Sequence, residues 1–225
     1  METYCNLFHN SYLYLRIDKA EIDSLSPSVF EELSRKHNMP LQVMVPSDAT
    51  RIVALLQKAN FQLKRKCYEM EVGPSDLLSA LPRHAQPLFV SHKGSPAFSA
   101  CAALMYRYYQ DTHAAVNPLT ASPGEFFEML PTTALYAGAA SDPLSAAFLE
   151  ENEIAYLCSR DPDDFSEFAQ SLLRYMFEQY VTIIFEADDT DRAAMELKNL
   201  FVARDEPTFD TYVYLNRHEE HATLQ

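Results

Sequence analysis

The order strand, helix, strand, helix, strand is written twice in this chain, and few folds accommodate that. In the first copy, SYLYLRI (11–17) has the aromatic and aliphatic content of a strand, and SPSVFEEL (26–33) carries the Ser, early Pro and acids of a helix start. After Pro40, LQVMV reads as a second strand. Ile52, Leu55, Leu56 and Ala59 then recur at helical spacing, and QLKRKCYEMEV (62–72) closes the unit. In the second copy, EIAYLCS (153–159) precedes Phe165, Phe168, Leu172, Met176 and Tyr180, which repeat every three or four residues as on one helix face. TIIFEA, RAAMELKNLF and TFDTYVYL then supply strand, helix and strand. Asp48 and Phe61 are thirteen positions apart, as are Asp188 and Phe201. Strands alternating with amphipathic helices bury their apolar faces by laying helices on a sheet, so the fold class is α/β, a mixed α+β arrangement.

Between the copies, Gly73 and Pro74 punctuate the chain. A long helix is expected near 97–113, with Phe98, Cys101, Met105 and Tyr108 on one side, and SPGE (122–125) opens a shorter one. TTALYAGAA (132–140), LSAAFLE (144–150) and EIAYLCS read as three strands, the last two joined as an antiparallel hairpin. In VTIIFEADDTDRAAMELKNLF (181–201), an apolar run breaks into Asp188, Asp189, Thr190 and Asp191 before helical spacing resumes. Those side chains can accept from the four unbonded amides of the next helix and complement its dipole. A calcium loop does not fit, because there is no Gly at the turn and no bidentate Glu at the right distance.

Composition narrows the function. The chain has 225 residues, 48% of them hydrophobic, so it carries enough apolar material for a packed core. Its formal charge is −14; residues 1–72 hold nine Lys/Arg against nine Asp/Glu, so the excess of acid lies entirely beyond them. Such a surface repels nucleic acid and anionic lipid and tolerates cationic partners such as amines. The start has no basic segment ahead of an apolar stretch, and no window approaches the roughly 18 apolar residues of a membrane span, so a cytoplasmic protein that contacts no membrane is expected. Cys5, Cys67, Cys101 and Cys158 have no paired spacing and read as free thiols, with Cys158 an inert core residue on its strand. No metal site is expected: in RHEEH (217–221) the histidines, His218 and His221, are three apart, one short of the H-E-x-x-H spacing. The KRK at 64–66 reads as a strand edge protected by charge.

From about 97 to 215 the order is two helices, a three-stranded meander, helix, strand, helix, strand. That order resembles the GNAT superfamily of N-acetyltransferases, and YRYYQDTHAAVNPLT, FEADDTDRAAMELKNLF and FDTYVYL are similar to stretches of a bacterial subgroup. Residues 11–72 resemble the C-terminal half of the same fold. The resemblance implies a GNAT-like twisted mixed sheet flanked by helices, in one and a half units: a half unit at 1–73 and a GNAT-like domain at 74–225.

It also implies acetyl-CoA, or another acyl-CoA, as donor and an amine as acceptor. Backbone amides near Leu157, Cys158 and Ser159 would hold the acyl group, with Arg160 beside the diphosphate; Glu153 would act as general base, and Tyr212 or Tyr214 as acid. His113 and Asn117, in DTHAAVNP, would border the acceptor cleft. The chain departs from the family at two places. The loop that carries glycines for the diphosphate is SRDPDDF (159–165) here, without glycine and with Asp161, Asp163 and Asp164 facing an anion. The family's catalytic tyrosine falls at Leu197, and at Leu56 in the half unit. An acyl-CoA-dependent N-acyltransferase with a divergent loop and a non-catalytic protein that binds a ligand or partner both remain open. The oligomeric state is not written in the sequence.

Overall fold

The computed structural model describes residues 1–82 and 86–215, with nothing taken from the side chains of 162–164. RHEEH lies outside the described residues. Along the chain run β1 (Glu2–Cys5), β2 (Leu13–Arg16), α1 (Pro27–His37), β3 (Leu41–Pro46), α2 (Thr50–Lys58), β4 (Gln62–Val72), β5 (Phe89–His92) and α3 (Pro96–His113). They are followed by α4 (Pro123–Met129), β6 (Thr133–Ala139), β7 (Asp142–Glu150), β8 (Glu153–Ser159), α5 (Pro162–Phe177), β9 (Ile183–Asp188), α6 (Arg192–Lys198) and β10 (Phe209–Tyr214). Every strand and helix read from the periodicity is present. Two short strands, β1 and β5, are not foreshadowed. Among the described residues, no helix is long and apolar enough to cross a membrane.

The chain forms two compact units. The first comprises Met1–Cys67, His113–Ala121 and Glu206–Gln225; the second comprises Tyr68–Thr112 and Ser122–Asp205. In the first unit β1 pairs antiparallel with β2, β2 runs parallel to β3, and β10 lies between β3 and β4, antiparallel to both. β10 is the last strand of the second copy in sequence, yet its ladder partners are strands of the first copy. A closing strand needs two bare strand edges of matching length, and Val213↔Gln42 with Val213↔Gln62 shows it finding both there.

Alternation decides what that sheet buries. Leu13, Leu15, Leu41, Val43, Val45 and Tyr212 point to one side and pack with Phe30 of α1 and Ile52, Leu55 and Leu56 of α2. The α1 helix ends on Asn38 in the left-handed conformation (φ 50°), where its N–H returns to the last turn. KRK does not behave as an exposed edge: Arg65 is 6% exposed. The loop before β2 is tied down by His9, whose Nδ1 lies 3.2 Å from the Pro118 carbonyl oxygen and whose ring stacks on His113 at 5.5 Å.

Burial holds the His9 imidazole pKa below its ordinary 6.5, with the Arg65 charge acting in the same direction. In this range the unfolded chain binds the proton more readily than the folded one, so stability is full above 6.5 and is lost as pH falls from there towards the folded pKa. The urea midpoint of the protein is expected to drop between pH 7 and pH 5, and His9→Gln is expected to flatten that part of the profile.

In the second unit the sheet order is β4, β9, β8, β7, β6, β5, with β4 represented by residues 68–72. The meander is antiparallel, whereas β8 and β9 are parallel. The helix-side core collects Leu135, Ala147, Ile154, Leu157 and Phe185 from the sheet, Phe165, Phe168, Leu172 and Met176 from α5, and Ala193, Ala194 and Leu197 from α6. Gly138 (φ 97°) sits at the β6–β7 bulge, where a Cβ would lie 2.9 Å from the Leu144 backbone nitrogen, so only glycine is accommodated.

Candidate functional site

β8 is where the second unit departs from regular pairing. Its antiparallel ladder to β7 runs from Glu150↔Glu153 to Ser145↔Ser159, but Leu149 faces Ile154 and Phe148 faces Tyr156, which leaves Ala155 as an extra residue. The bulge resets the alternation, so that Ile154 and Leu157 both reach the helix-side core. On its other edge, β8 pairs with β9 only at Glu153↔Ile184 and Ile154↔Phe185. Beyond that point the two strands share no further register pair, and the β9-facing edge of 155–159 has backbone groups with no ladder partner.

The opposite face of the bulge is aromatic and acidic. The Tyr156 ring lies 6.3 Å from Tyr109 of α3 and 6.2 Å from Phe126 of α4, which in turn lie 5.1 Å apart. α4 is held there by a capping box in which Ser122 and Glu125 satisfy each other's backbone N–H. Burial raises the Tyr156 hydroxyl pKa, with Glu186 and then Glu153 adding to it, so two carboxylates from neighbouring strands act on one phenol. Both carboxylates are exposed.

At the far end of β8 a cavity of about 680 Å³ opens against α3, lined by Arg107, Tyr108, Asp111, Ser159, Arg160 and Thr190, among others. Arg160 is paired with Asp142 (Nη1 to Oδ2 3.1 Å), and its backbone N–H donates to the Leu144 carbonyl at 2.8 Å. Ser159 Oγ donates to the Asp161 carbonyl at 2.6 Å and lies 2.9 Å from Ser145 Oγ. The neighbouring slot between α5 and α6, lined by Tyr108, Ser159, Phe165 and Ala193, measures only about 30 Å³. Tyr108 reaches across it: its hydroxyl donates to Asp191 Oδ1 at 2.6 Å and accepts from the Ala193 N–H at 2.9 Å.

Asp191 also accepts from the Ala194 N–H at 3.0 Å, and is the residue that caps α6. Asp188 accepts the Asp191 N–H through its backbone carbonyl at 2.9 Å. Asp191→Ala is expected to cost about 1–2 kcal/mol in chemical denaturation, because the cap and the Tyr108 acceptor are lost together.

Comparison with solved structures places this topology among known ones. A GCN5-related N-acetyltransferase from Kribbella flavida is similar at a TM-score of 0.51 and 14% identity, over 92% of this chain and 82% of that one. A GCN5-related N-acetyltransferase from Sphaerobacter thermophilus has a TM-score of 0.55 at 9% identity, over 95% and 75%. A tandem GNAT protein from the clavulanic acid biosynthesis pathway has a TM-score of 0.52 at 10% identity, over 91% and 75%. The chain has the GNAT fold. No family model matches it, and no curated protein does.

Within the GNAT fold, the residues expected from the sequence separate into two groups. Glu153, Leu157, Cys158, Ser159 and Arg160 all belong to β8 and its exit in the second unit. Leu157 and Cys158 are buried at 4% and 0%, so only their backbone is available to a ligand, and burial drives the Cys158 thiol pKa up. Glu153 sits at the closed end of the β8–β9 pair, about 20 Å along the strand from Ser159. The bulged Ala155 lies two residues from Glu153.

Tyr212, His113 and Asn117 belong to the first unit. Tyr212 is 5% exposed and packs in the apolar core of the first unit, and His113 and Asn117 are buried in that unit at 7% and 4%. Leu197 and Leu56 are core residues at 0% exposure. The residues that sequence reasoning missed are Arg107, Tyr108, Tyr156 and Glu186. Glu186 had a signal, being an acid inside an apolar strand at a solvent-facing position. Tyr108 had none, because its spacing matches an ordinary apolar helix face.

Proposed function

We propose that the second unit is an N-acyltransferase that passes an acyl group from a thioester of the acyl-CoA class to a small-molecule amine. The observation that carries this reading is the bulge at Ala155: it lies where β8 parts from β9 and is flanked by Glu153 and Glu186 around Tyr156. A bulge turns backbone groups out of the ladder, so an amide there can donate to an acyl carbonyl oxygen as negative charge gathers on it.

The carboxylates serve the acceptor. An ammonium group cannot attack a carbonyl until it loses a proton, and Glu186 or Glu153 is positioned to receive it. The acid-rich surface beyond residue 72 favours the approach of a cation. Tyr156, held as a neutral phenol, can donate a hydrogen bond towards the same region.

Acyl-CoA, when bound, supplies an activated acyl group and a thiolate leaving group. The residues present fit it in a way that differs from a glycine-rich loop. The cavity of about 680 Å³ is within the range of ligand sites, and Arg107 and Arg160 bring positive side chains where amides are not available. The Arg160–Asp142 pair is solvent-exposed and screened, so Arg160 can exchange Asp142 for a phosphate at little cost.

Titration calorimetry with acetyl-CoA tests this. Micromolar binding is expected, and Arg107→Ala with Arg160→Ala is expected to weaken it at least tenfold, about 1.4 kcal/mol. An absence of heat and of thermal stabilisation at millimolar acetyl-CoA would refute the donor assignment. A second reading, a GNAT-fold binder without chemistry, is favoured by one feature: Tyr108 crosses the α5–α6 slot and leaves it about 30 Å³, room for roughly one water. It predicts amine binding without turnover.

A further inference from the structure

The first unit carries a polar seam on the sheet face turned away from α1 and α2. Tyr14, Gln42, Thr211 and Arg65 stand on four adjacent strands: Tyr14 is in register with Gln42, Gln42 is one strand from β10, and Thr211 is opposite Arg65. They alternate with Leu41, Val43 and Tyr212, which face the apolar core on the other side. A buried sheet face normally takes apolar side chains. Here Gln42 is 1% exposed, Thr211 0%, Arg65 6% and Tyr14 4%.

Asn117 joins the seam through Nδ2, which donates to the Tyr14 hydroxyl at 3.4 Å. Burial pushes that hydroxyl's pKa up to about 12, so it remains a neutral phenol. Both ends of the Gln42 carboxamide, the Thr211 hydroxyl and Asn117 Oδ1 are buried and make no hydrogen bond. Folded proteins leave few such groups unmade, and rarely both ends of one carboxamide together with two neighbours. One strand position further along the same face, Met44 is 44% exposed, so the seam lies one step from the surface.

We propose that this seam is a binding site, separate from the acyl-transfer reading, for a small hydroxy carboxylate. The chemistry of the lining selects that class. The Arg65 guanidinium, the Gln42 amide N–H and the Thr211 hydroxyl are donors suited to a carboxylate. Gln42 Oε1 and Asn117 Oδ1 are acceptors and call for a hydroxyl on the same small molecule. A dianion would leave those acceptors facing negative charge, and an apolar acid would leave them unpaired.

Glycolate is the probe, with acetate, which lacks the hydroxyl, and glycolamide, which lacks the charge, as matched controls. Calorimetry and the side-chain amide resonances of Gln42 report binding on the full chain; Gln42→Met identifies those resonances. One-site binding of glycolate is expected, at least tenfold tighter than either control, with the Gln42 amide signals shifting on saturation. Thr211→Val is expected to weaken glycolate at least tenfold while the protein remains folded by circular dichroism. Failure of glycolate to bind the wild-type protein at tens of millimolar overturns the proposal, whatever the variants do. So does binding that leaves the Gln42 signals unmoved. These outcomes are independent of acetyl-CoA binding.

Discussion

Glu186→Gln is expected to lower kcat for amine acylation by about a hundredfold or more while leaving acyl-donor binding unchanged. The reason is specific to the base: the amide keeps the shape and hydrogen bonding of the side chain but cannot accept a proton at neutral pH, and a positioned general base is worth about 10²–10⁴ in rate. After burial, Glu186 contributes more than Glu153 to the raised pKa of Tyr156. Glu153→Gln is therefore the comparison. If Glu153 alone is the base, the larger loss will appear there instead; if neither variant loses rate, the carboxylates are a solvated surface and the catalytic reading of this face fails. Steady-state rates as a function of pH separate these cases, because loss of the base removes the acidic limb of the profile rather than scaling it.

Phe185→Ala is expected to destabilise the protein by about 3–5 kcal/mol, the usual cost of truncating a buried aromatic ring. Phe185 is 0% exposed, packs 5.9 Å from the Phe201 ring, and is the β9 residue in register with Ile154, immediately before the strands part. The cavity opened there removes contacts that hold β9 in the core, with α5 and α6 on its helix side. Denaturant unfolding gives the magnitude. A cost below about 1 kcal/mol would mean that the core collapses to fill the hole and that the divergence of β8 and β9 does not depend on this ring. Ile184, on the other face and 41% exposed, is the control: Ile184→Ala is expected to cost much less.

Much of the second unit was legible because its signals are local. The α5 stripe of Phe165, Phe168, Leu172 and Met176 is buried as its spacing requires, and the turn at 151–152 joins β7 to β8 as a hairpin. The candidate site was half legible. Glu153 and Ser159 could be nominated from the sequence because they lie on one recognisable strand. Tyr156 was overlooked because a tyrosine within an apolar strand resembles packing, and Glu186 because only its position across from β8 makes it more than a surface acid. For His113 and Asn117 the sequence showed polar residues after a helix end; their burial in the first unit and the Asn117–Tyr14 hydrogen bond depend on the tertiary structure.

Sequence alone determined which stretches are helices and which are strands, that they recur in two matching runs, and that the loop after β8 has no glycine, because each of these depends on neighbours a few residues away. Tertiary structure decided that β10 completes the sheet of the first unit, that Ala155 is the bulged residue, and that Gln42, Thr211 and Asn117 share one buried seam. Strand partners and register are agreements between segments far apart in the chain, and no single segment carries both sides of such an agreement.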